Sequence, residues 1–252
     1  MDTEFKRYRL DVAYDGTDYH GWQIQPNGDS IQARIECRLR VLVGASQACK
    51  LHGSGRTDQG VHARGQTAHV DLATRIPPPA LTPAINAGLP ADIRVLRTRI
   101  VEADFHARRS ARAKEYRYFV QTAPVLPPHI ARYCLQAPRP LDRTAMQAAA
   151  DRFCGRHDFR AFSANPNRPV PDAVRVIERF AVAGRGRQFC FQVRGNGFLY
   201  KMVRSMVGFL LRVGEGTEAP ENVTAILQAN GVRTARVPTA PPHGLFLWRV
   251  FY

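Results

Sequence analysis

Short runs of alternating or mainly apolar residues recur along the chain, which is the pattern of β-strands that have a buried face. Segments rich in glycine and proline separate these runs, as expected for turns and loops. The pattern predicts strands at residues 8–14, 61–72, 93–101, 114–120, 174–182, 189–193 and 245–252.

Other stretches repeat their apolar residues at helical spacing. The clearest begins after Ser30, a good N-cap, and ends before Gly44, a good C-cap, with Ile31, Ile35, Leu39 and Leu42 on one face. Further helices are predicted at 81–87, from Asp142 to Gly155, from Asn196-Gly197-Phe198 through Leu211, and from Pro220 to Asn230-Gly231.

The order of strand, helix and strands occurs twice, although no sequence repeat is visible. This order predicts an α+β protein with a mostly antiparallel sheet flanked by helices. We place the crossing between two domains near residues 104–112, a strongly basic stretch. With 44% hydrophobic residues the chain can bury a core, which argues against disorder.

The charge balance favours a polyanionic partner. Lys and Arg number 36 against 21 Asp and Glu, a net charge of +15, and such an excess is typical of proteins that bind nucleic acid. A generally basic proteome is the alternative.

The chain has five cysteines, an odd number, and no two of them form a C-x-x-C pair, which argues against a disulfide framework or structural zinc site. The N-terminus lacks the apolar core of a signal peptide, and no run approaches about 18 apolar residues. We therefore expect a soluble, cytoplasmic protein.

One glycine-rich loop, Gly53 to Ala63, has the composition of a site because it combines three glycines with Arg56 and Asp58. It is not a phosphate-binding P-loop, since Val61-His62 stand where Lys-Ser/Thr would follow. It is not a dinucleotide fingerprint either, because a strand-like run follows it.

Three roles for Asp58 stay open on the residues alone. A metal site would combine it with His62, His69 and Asp71, but no known ligand spacing is matched and Arg56 would repel a cation. Asp58 could act as a nucleophile or acid/base, kept ionised by an arginine. It could also simply cap the turn or pair with Arg56. The aromatic loop at residues 19–25 is similarly open, because Trp22 could stack on a base or pack against the sheet.

Several motifs, in order along nearly the whole chain, resemble those of the TruA-type tRNA pseudouridine synthases. They are Tyr14-Asp15-Gly16 with Tyr19-x-Gly21-Trp22-Gln23-x-Gln25, Gly55-Arg56-Thr57-Asp58-x-Gly60-Val61-His62-Ala63, Lys114-x-Tyr116-x-Tyr118, Asp158-Phe159-x-x-Phe162, Phe198-Leu199-Tyr200-x-Met202-Val203-Arg204-x-Met206-Val207-Gly208, and Thr239-Ala240-Pro241 with Gly244-Leu245.

The resemblance implies an isomerase, an intramolecular transferase that converts uridine to pseudouridine at positions 38–40 of the tRNA anticodon stem-loop. It implies the pseudouridine synthase fold, with two α+β halves around a basic cleft, a homodimer, and neither cofactor nor metal. We expect an N-terminal half, residues 1–106, that carries the aspartate loop, and a C-terminal half, residues 107–252, that carries its partners. The alternative is a non-catalytic RNA-binding or tRNA-chaperone protein on the same scaffold.

Four residues match functional positions of the family. Asp58 matches the catalytic aspartate, and Arg56 the arginine that guides the target nucleotide out of the stem. Tyr116 matches the tyrosine that packs against the target base, and Arg204 the later basic residue that pairs with the aspartate. The chain departs from the family at Gly231-Val232-Arg233-Thr234, where an Asp-Arg pair is usual, so any role of that segment stays open.

Overall fold

A computed structural model describes residues 4–26, 28–164, 172–229 and 233–252 of the chain. Contacts divide the chain into two compact units. The first comprises the residues up to Arg112 together with Leu247–Tyr252, and the second comprises Ala113–Phe246. Residues Leu247–Tyr252, which include most of the last strand, thus belong to the first unit.

Strands and helices alternate in the predicted order, with some short elements that the sequence pattern did not reveal. In chain order they are β1 (Lys6–Tyr14), α1 (Ile31–Val43), β2 (His52–Gly53), β3 (His62–Leu72), α2 (Pro78–Asn86), β4 (Ile93–Val101), β5 (Ala113–Gln121), α3 (Pro128–Ala131), β6 (Leu135–Gln136), α4 (Arg143–Asp151), β7 (Gly155–Asp158), β8 (Val174–Arg185), β9 (Gln188–Gly195), α5 (Met202–Gly214), α6 (Asn222–Gln228) and β10 (Leu245–Phe251). Single 3₁₀ turns lie at Arg160–Phe162 and Pro242–Gly244.

In the first unit, β1 lies between β3 and β4 and is antiparallel to both. Alternate residues of β1 are buried, from Tyr8 to Tyr14. They share the core with the buried apolar faces of α1 and α2, and α2 packs on β4. Each fully buried apolar side chain contributes about 1.5–3 kcal/mol relative to an exposed one, so this face holds the unit together.

The first helix confirms its predicted ends. The hydroxyl oxygen of Ser30 accepts the Ala33 N–H at 3.3 Å, and the N–H of Gly44 donates to the Arg40 carbonyl at 3.0 Å. Gly44 has a φ of 101°, a conformation that glycine adopts without strain. Both ends could be read from the sequence because capping is a local interaction.

The second unit has the strand order β5-β9-β8-β7 with antiparallel neighbours, and β6 runs parallel to β5. Its core contains a cluster of fully buried phenylalanines, namely Phe153, Phe159, Phe162, Phe180 and Phe209. Phe159 directly follows β7, and Phe162 ends the 3₁₀ turn that comes next. The α+β class with a mostly antiparallel sheet and flanking helices is confirmed.

Helix α5 differs from its prediction. It begins at Met202 and not at Asn196-Gly197-Phe198, because Lys201 adopts the left-handed conformation with a φ of 55° and interrupts a helix there. It is also buried on nearly all sides, from Met202 through Leu210, so it lacks the exposed face that its apolar stripe suggested. Helix α4 ends at Asp151, earlier than predicted. The predicted helix end at Asn230-Gly231 lies outside the described residues.

Across the residues that the structure describes, none of the helices has the length and hydropathy required to cross a membrane.

Candidate active site

Arg56 and Asp58 lie in the loop that joins β2 to β3. The Asp58 side chain is half-buried and that of Arg56 is exposed. A turn follows Asp58 directly, closed by the Val61 N–H, which donates to the Asp58 carbonyl at 3.1 Å. Gly60 takes a φ of 74° within this turn. The turn therefore presents a carboxylate that solvent and ligands can reach.

The segment between β1 and α1 fixes the backbone on both sides of Asp58. The Trp22 N–H donates to the Thr57 carbonyl at 3.2 Å, and the Gly60 N–H donates to the Tyr19 carbonyl at 3.4 Å. The hydroxyls of Tyr14 and Thr57 are hydrogen-bonded at 2.8 Å in a buried position. Such contacts pre-organise a reactive group, because the loop does not have to be ordered during the reaction.

Two glycines allow this close approach. A Cβ atom on Gly21 would lie 2.4 Å from the Thr57 carbonyl oxygen, and Gly21 has a φ of 90°. A Cβ atom on Gly16 would lie 2.0 Å from the Val61 carbonyl oxygen. Backbone can pack on backbone at this distance only where a residue has no side chain. The glycines of the opening motif thus support the Asp58 loop.

Trp22, the aromatic residue whose role was open, packs inside the unit. Its side chain is 3% exposed, and its ring lies 6.0 Å from that of Tyr14. A Cβ on Gly53 would lie 2.5 Å from its Nε1 atom. The alternative of Trp22 as a platform for a base is therefore wrong, and its indole is part of the support under the loop.

A buried polar network holds the first half of the loop. The Ser54 N–H donates to the Thr67 carbonyl at 2.7 Å, and the Ser54 hydroxyl donates to Gln66 Oε1 at 2.6 Å. Gln66 Nε2 in turn donates to the Gly55 carbonyl at 2.9 Å. Networks whose buried members are hydrogen-bonded in this way are rigid. Sequence reasoning missed both Ser54 and Gln66, and only Gln66, a polar residue at a buried position of β3, carried a signal in the sequence.

Three of the four residues of the alternative metal site are hydrogen-bonded elsewhere, one of them being His69, whose Nδ1 accepts the Ala107 N–H at 3.1 Å. His62 is fully buried, and its Nδ1 accepts the Gly16 N–H at 3.0 Å. Asp71 forms two hydrogen bonds with Arg7, each of 2.7 Å. Within the described residues no three His, Cys, Asp or Glu side chains are grouped so as to hold a metal ion.

Tyr116 lies on β5 of the second unit, opposite Val193 of β9. Its side chain is 8% exposed. Its ring meets that of Phe198 edge to face, with the centroids 5.1 Å apart and the planes at 81°. Tyr116 and Tyr118 share the buried face of the strand, as the alternation predicts. Phe198 therefore fixes the plane of the Tyr116 ring.

Arg204 lies in the first turn of α5 and is 8% exposed. Its Nε donates to the Ala240 carbonyl at 2.7 Å, and the Ala240 N–H donates to the Arg204 carbonyl at 3.0 Å. A buried charge is costly unless it is hydrogen-bonded or paired. The reciprocal contact with Ala240 thus both compensates the buried guanidinium and sets its direction.

The four candidates fall into two pairs. Asp58 and Arg56 share one loop of the first unit, whereas Tyr116 and Arg204 lie on β5 and α5 of the second unit. Within its own unit, each of Asp58, Tyr116 and Arg204 rests on hydrogen bonds or packing that restrict its position, and Arg56 is the one exposed member.

Comparison with known proteins identifies the family to which the chain belongs. A sequence profile described as tRNA pseudouridine synthase matches residues 12–108 and 149–252, which is most of the chain. The chain belongs to the tRNA pseudouridine synthase family. The predicted family is thus confirmed, and Arg56, Asp58 and Arg204 lie in the matched segments, while Tyr116 falls between them.

Individual relatives align over nearly the entire chain. A tRNA pseudouridine synthase A from Halalkalibacterium halodurans is 46% identical over 97% of this chain and 92% of its own length. Proteins of the same name from an Exiguobacterium species and from Bacillus pumilus are each 42% identical over 98% of this chain, and over 98% and 99% of their own lengths.

Proposed function

We propose that this protein isomerises uridine to pseudouridine in the anticodon stem-loop of tRNA, at positions 38–40 as the family resemblance implies. One observation carries the proposal. In a member of the tRNA pseudouridine synthase family, the motif aspartate Asp58 is accessible on a loop whose backbone is hydrogen-bonded on both sides. The net charge of +15 supports an RNA substrate.

The reaction needs bond exchange without oxidation or reduction. The bond between N1 of the base and C1′ of the sugar breaks, a bond between C5 and C1′ forms, the hydrogen on C5 leaves as a proton, and N1 takes up a proton. Carboxylates form covalent intermediates of this kind with sugar or base carbons. Asp58 is the proposed nucleophile, with attack on the sugar or on the base ring as the two routes open to it.

The other three residues take the roles that the resemblance implies. Extruding a base from a stem costs a few kcal/mol, and the exposed Arg56 is the proposed guide for the extruded nucleotide. Stacking on an aromatic ring returns about 1–3 kcal/mol, which Tyr116 is proposed to supply. Arg204 is the proposed basic residue that keeps the aspartate ionised. This assigns the aspartate loop to the N-terminal half, residues 1–106, and its partners to residues 107–252.

The proposal includes a homodimer that works in the cytoplasm without metal or cofactor. The homodimer and the lack of metal and cofactor are implied by the family resemblance, whereas the cytoplasmic location is the expectation from the N-terminus and the apolar runs of the sequence. The bond exchange itself needs no redox partner.

The decisive experiment is release of tritium from tRNA that carries [5-³H]uridine. We expect Asp58→Asn to abolish release while tRNA binding, measured by filter retention, stays within about two-fold. Asp71→Asn makes the same charge change at a side chain that is 49% exposed, and we expect it to keep the wild-type rate. Turnover by Asp58→Asn would refute the role of the nucleophile. Binding without any release by the wild type would instead identify an RNA-binding protein.

A further inference from the structure

A half-buried arginine outside the four candidates joins the C-terminal segment to the start of α5. The Nη1 atom of Arg233 donates to the Ser205 hydroxyl at 2.8 Å. Its Nη2 atom donates to the Thr239 hydroxyl at 2.7 Å and to the Val237 carbonyl at 2.6 Å. One guanidinium thus holds three acceptors, which lie on α5 and on the segment that leads to β10.

The acceptor on α5 is itself part of the helix start. The Ser205 side chain is fully buried, and its hydroxyl donates to the Lys201 carbonyl at 3.1 Å. Lys201 has a φ of 55°, a conformation that costs a non-glycine residue about 1–2 kcal/mol. The hydrogen bonds from Arg233 through Ser205 therefore stabilise the strained residue that fixes where α5 begins.

The acceptor on the other side is adjacent to the residue that orients Arg204. Thr239 precedes Ala240, whose carbonyl and N–H are both hydrogen-bonded to Arg204. The same segment presses on α5 one turn further along, where a Cβ on Gly208 would lie 2.4 Å from the Pro238 carbonyl oxygen. The position of Ala240 thus depends on how tightly residues 237–239 are held against α5.

The chemistry of these contacts requires a guanidinium. Burial lowers the pKa of Arg233, yet arginine stays charged at neutral pH. A half-buried charge needs such hydroxyl and carbonyl acceptors to offset its desolvation. A lysine has a single nitrogen, which cannot reach separate acceptors as the planar fork does.

We propose that Arg233 is a positioning residue of the active site, which acts through Thr239 and Ala240 to hold the Arg204 guanidinium in its catalytic direction. The inference rests on the proposed function, in which Arg204 is the basic partner of the aspartate. It gives a role to the segment where the sequence departs from the usual family pattern.

The test compares Arg233→Met and Arg233→Lys with Arg236→Met, which makes the same change three residues along. Arg236 is exposed and pairs with Glu218, so we expect its variant to keep the wild-type rate. Displacements of about 1 Å in an active site cost up to about 100-fold in rate. We therefore expect both Arg233 variants to slow single-turnover pseudouridine formation by about 10-fold or more, while the Kd for tRNA changes less than two-fold.

A second readout follows the contact itself. Hydrogen exchange of the Ala240 amide reports its bond to the Arg204 carbonyl, and we expect its protection to fall about 10-fold or more in both Arg233 variants, with wild-type protection in Arg236→Met. A lysine variant with the wild-type rate and protection would overturn the proposal, because charge alone would then suffice. Variants that lose thermal stability but keep rate and protection would also overturn it, since Arg233 would then be a purely structural residue.

If Arg233→Met does not fold, the test uses Thr239→Val, which removes one acceptor only. We expect this variant to show the same fall in rate and in Ala240 protection, and wild-type values of both would overturn the inference. If the wild type makes no pseudouridine, the proposed function fails, and the exchange measurement alone decides whether Arg233 holds Ala240 and Arg204 together.

Discussion

Replacing Gly21 with alanine tests whether the opening segment positions the catalytic loop. The new methyl group would lie 2.4 Å from the Thr57 carbonyl oxygen and 3.0 Å from the Asp58 carbonyl carbon. The obstacle is backbone on both sides, so no side-chain rotation relieves it. The peptide between Thr57 and Asp58 must move, and Asp58 moves with it.

The magnitude follows from the geometry. Real Cβ contacts are almost never shorter than 3.0 Å, so a shift of at least about 0.6 Å is needed, and displacements near 1 Å cost up to about 100-fold in rate. We expect a loss of about 10- to 100-fold in the rate of pseudouridine formation. Alanine at a φ of 90° adds about 1–2 kcal/mol of strain, and the contact adds about 1–3 kcal/mol.

The assay is single-turnover tritium release together with thermal unfolding. Gly216→Ala is the matched control, because Gly216 has a φ of 72° and nothing lies within 4 Å of its added Cβ. We expect this control to lose about 1–2 kcal/mol of stability from the backbone strain alone and no rate. A Gly21→Ala enzyme that turns over at the wild-type rate would refute the positioning role. An equal loss of rate in the control would show that backbone strain acts without the contact.

Three more predictions concern single side chains. Tyr14→Phe leaves the buried Thr57 hydroxyl without its 2.8 Å partner, so we expect a loss of about 1–2 kcal/mol in chemical denaturation; an unchanged midpoint would contradict this. Burial, with His106 and His52 nearby, lowers the pKa of His69 to about 4. In the unfolded chain this histidine binds a proton below about pH 6.5, whereas in the folded chain it stays neutral down to about pH 4. The free energy of unfolding should therefore fall as the pH is lowered from 6.5 to 4, by up to about 3 kcal/mol. His69→Asn should show a shallower pH dependence, and an identical slope would exclude His69 as the source. Tyr116→Phe should reduce the rate more than the thermal stability, and the opposite result in paired rate and melting measurements would favour a structural role.

The elements that could be read from the sequence are those that local interactions determine. Helix α1 was predicted with both ends because Ser30 and Gly44 bond within one turn of the helix. Helix α5 was placed too early because its start depends on Lys201, whose carbonyl accepts the Ser205 hydroxyl, and Ser205 is in turn held by Arg233, which is distant in sequence. Periodicity also missed that α5 is buried on nearly all sides, because a fully buried helix and a half-buried helix can carry the same apolar stripe.

In the candidate site, too, the residues of a local motif could be predicted from the sequence, whereas contacts between distant residues could not. Asp58 was found because a motif is local, but Gly21 and Gly16 could not be linked to it, because their contact joins residues far apart in the sequence. Arg233 stood in a segment whose role was open, and only the hydrogen bonds to Ser205 and Thr239 show what it holds. Close approach and buried polar networks are properties of the folded chain, which composition and spacing do not encode.

The C-terminal strand has a consequence for synthesis of the protein. The first unit includes Leu247–Tyr252, where the Tyr252 hydroxyl donates to the Ala107 carbonyl at 2.7 Å and the Arg64 guanidinium lies 4.6 Å from the Trp248 ring. A ribosome that adds about 5–20 residues per second needs roughly 7–27 s to make Ala113–Phe246 in between. The aspartate loop is therefore made well before the strand that completes its unit, and chains that terminate before Leu247 carry the motif without its finished scaffold.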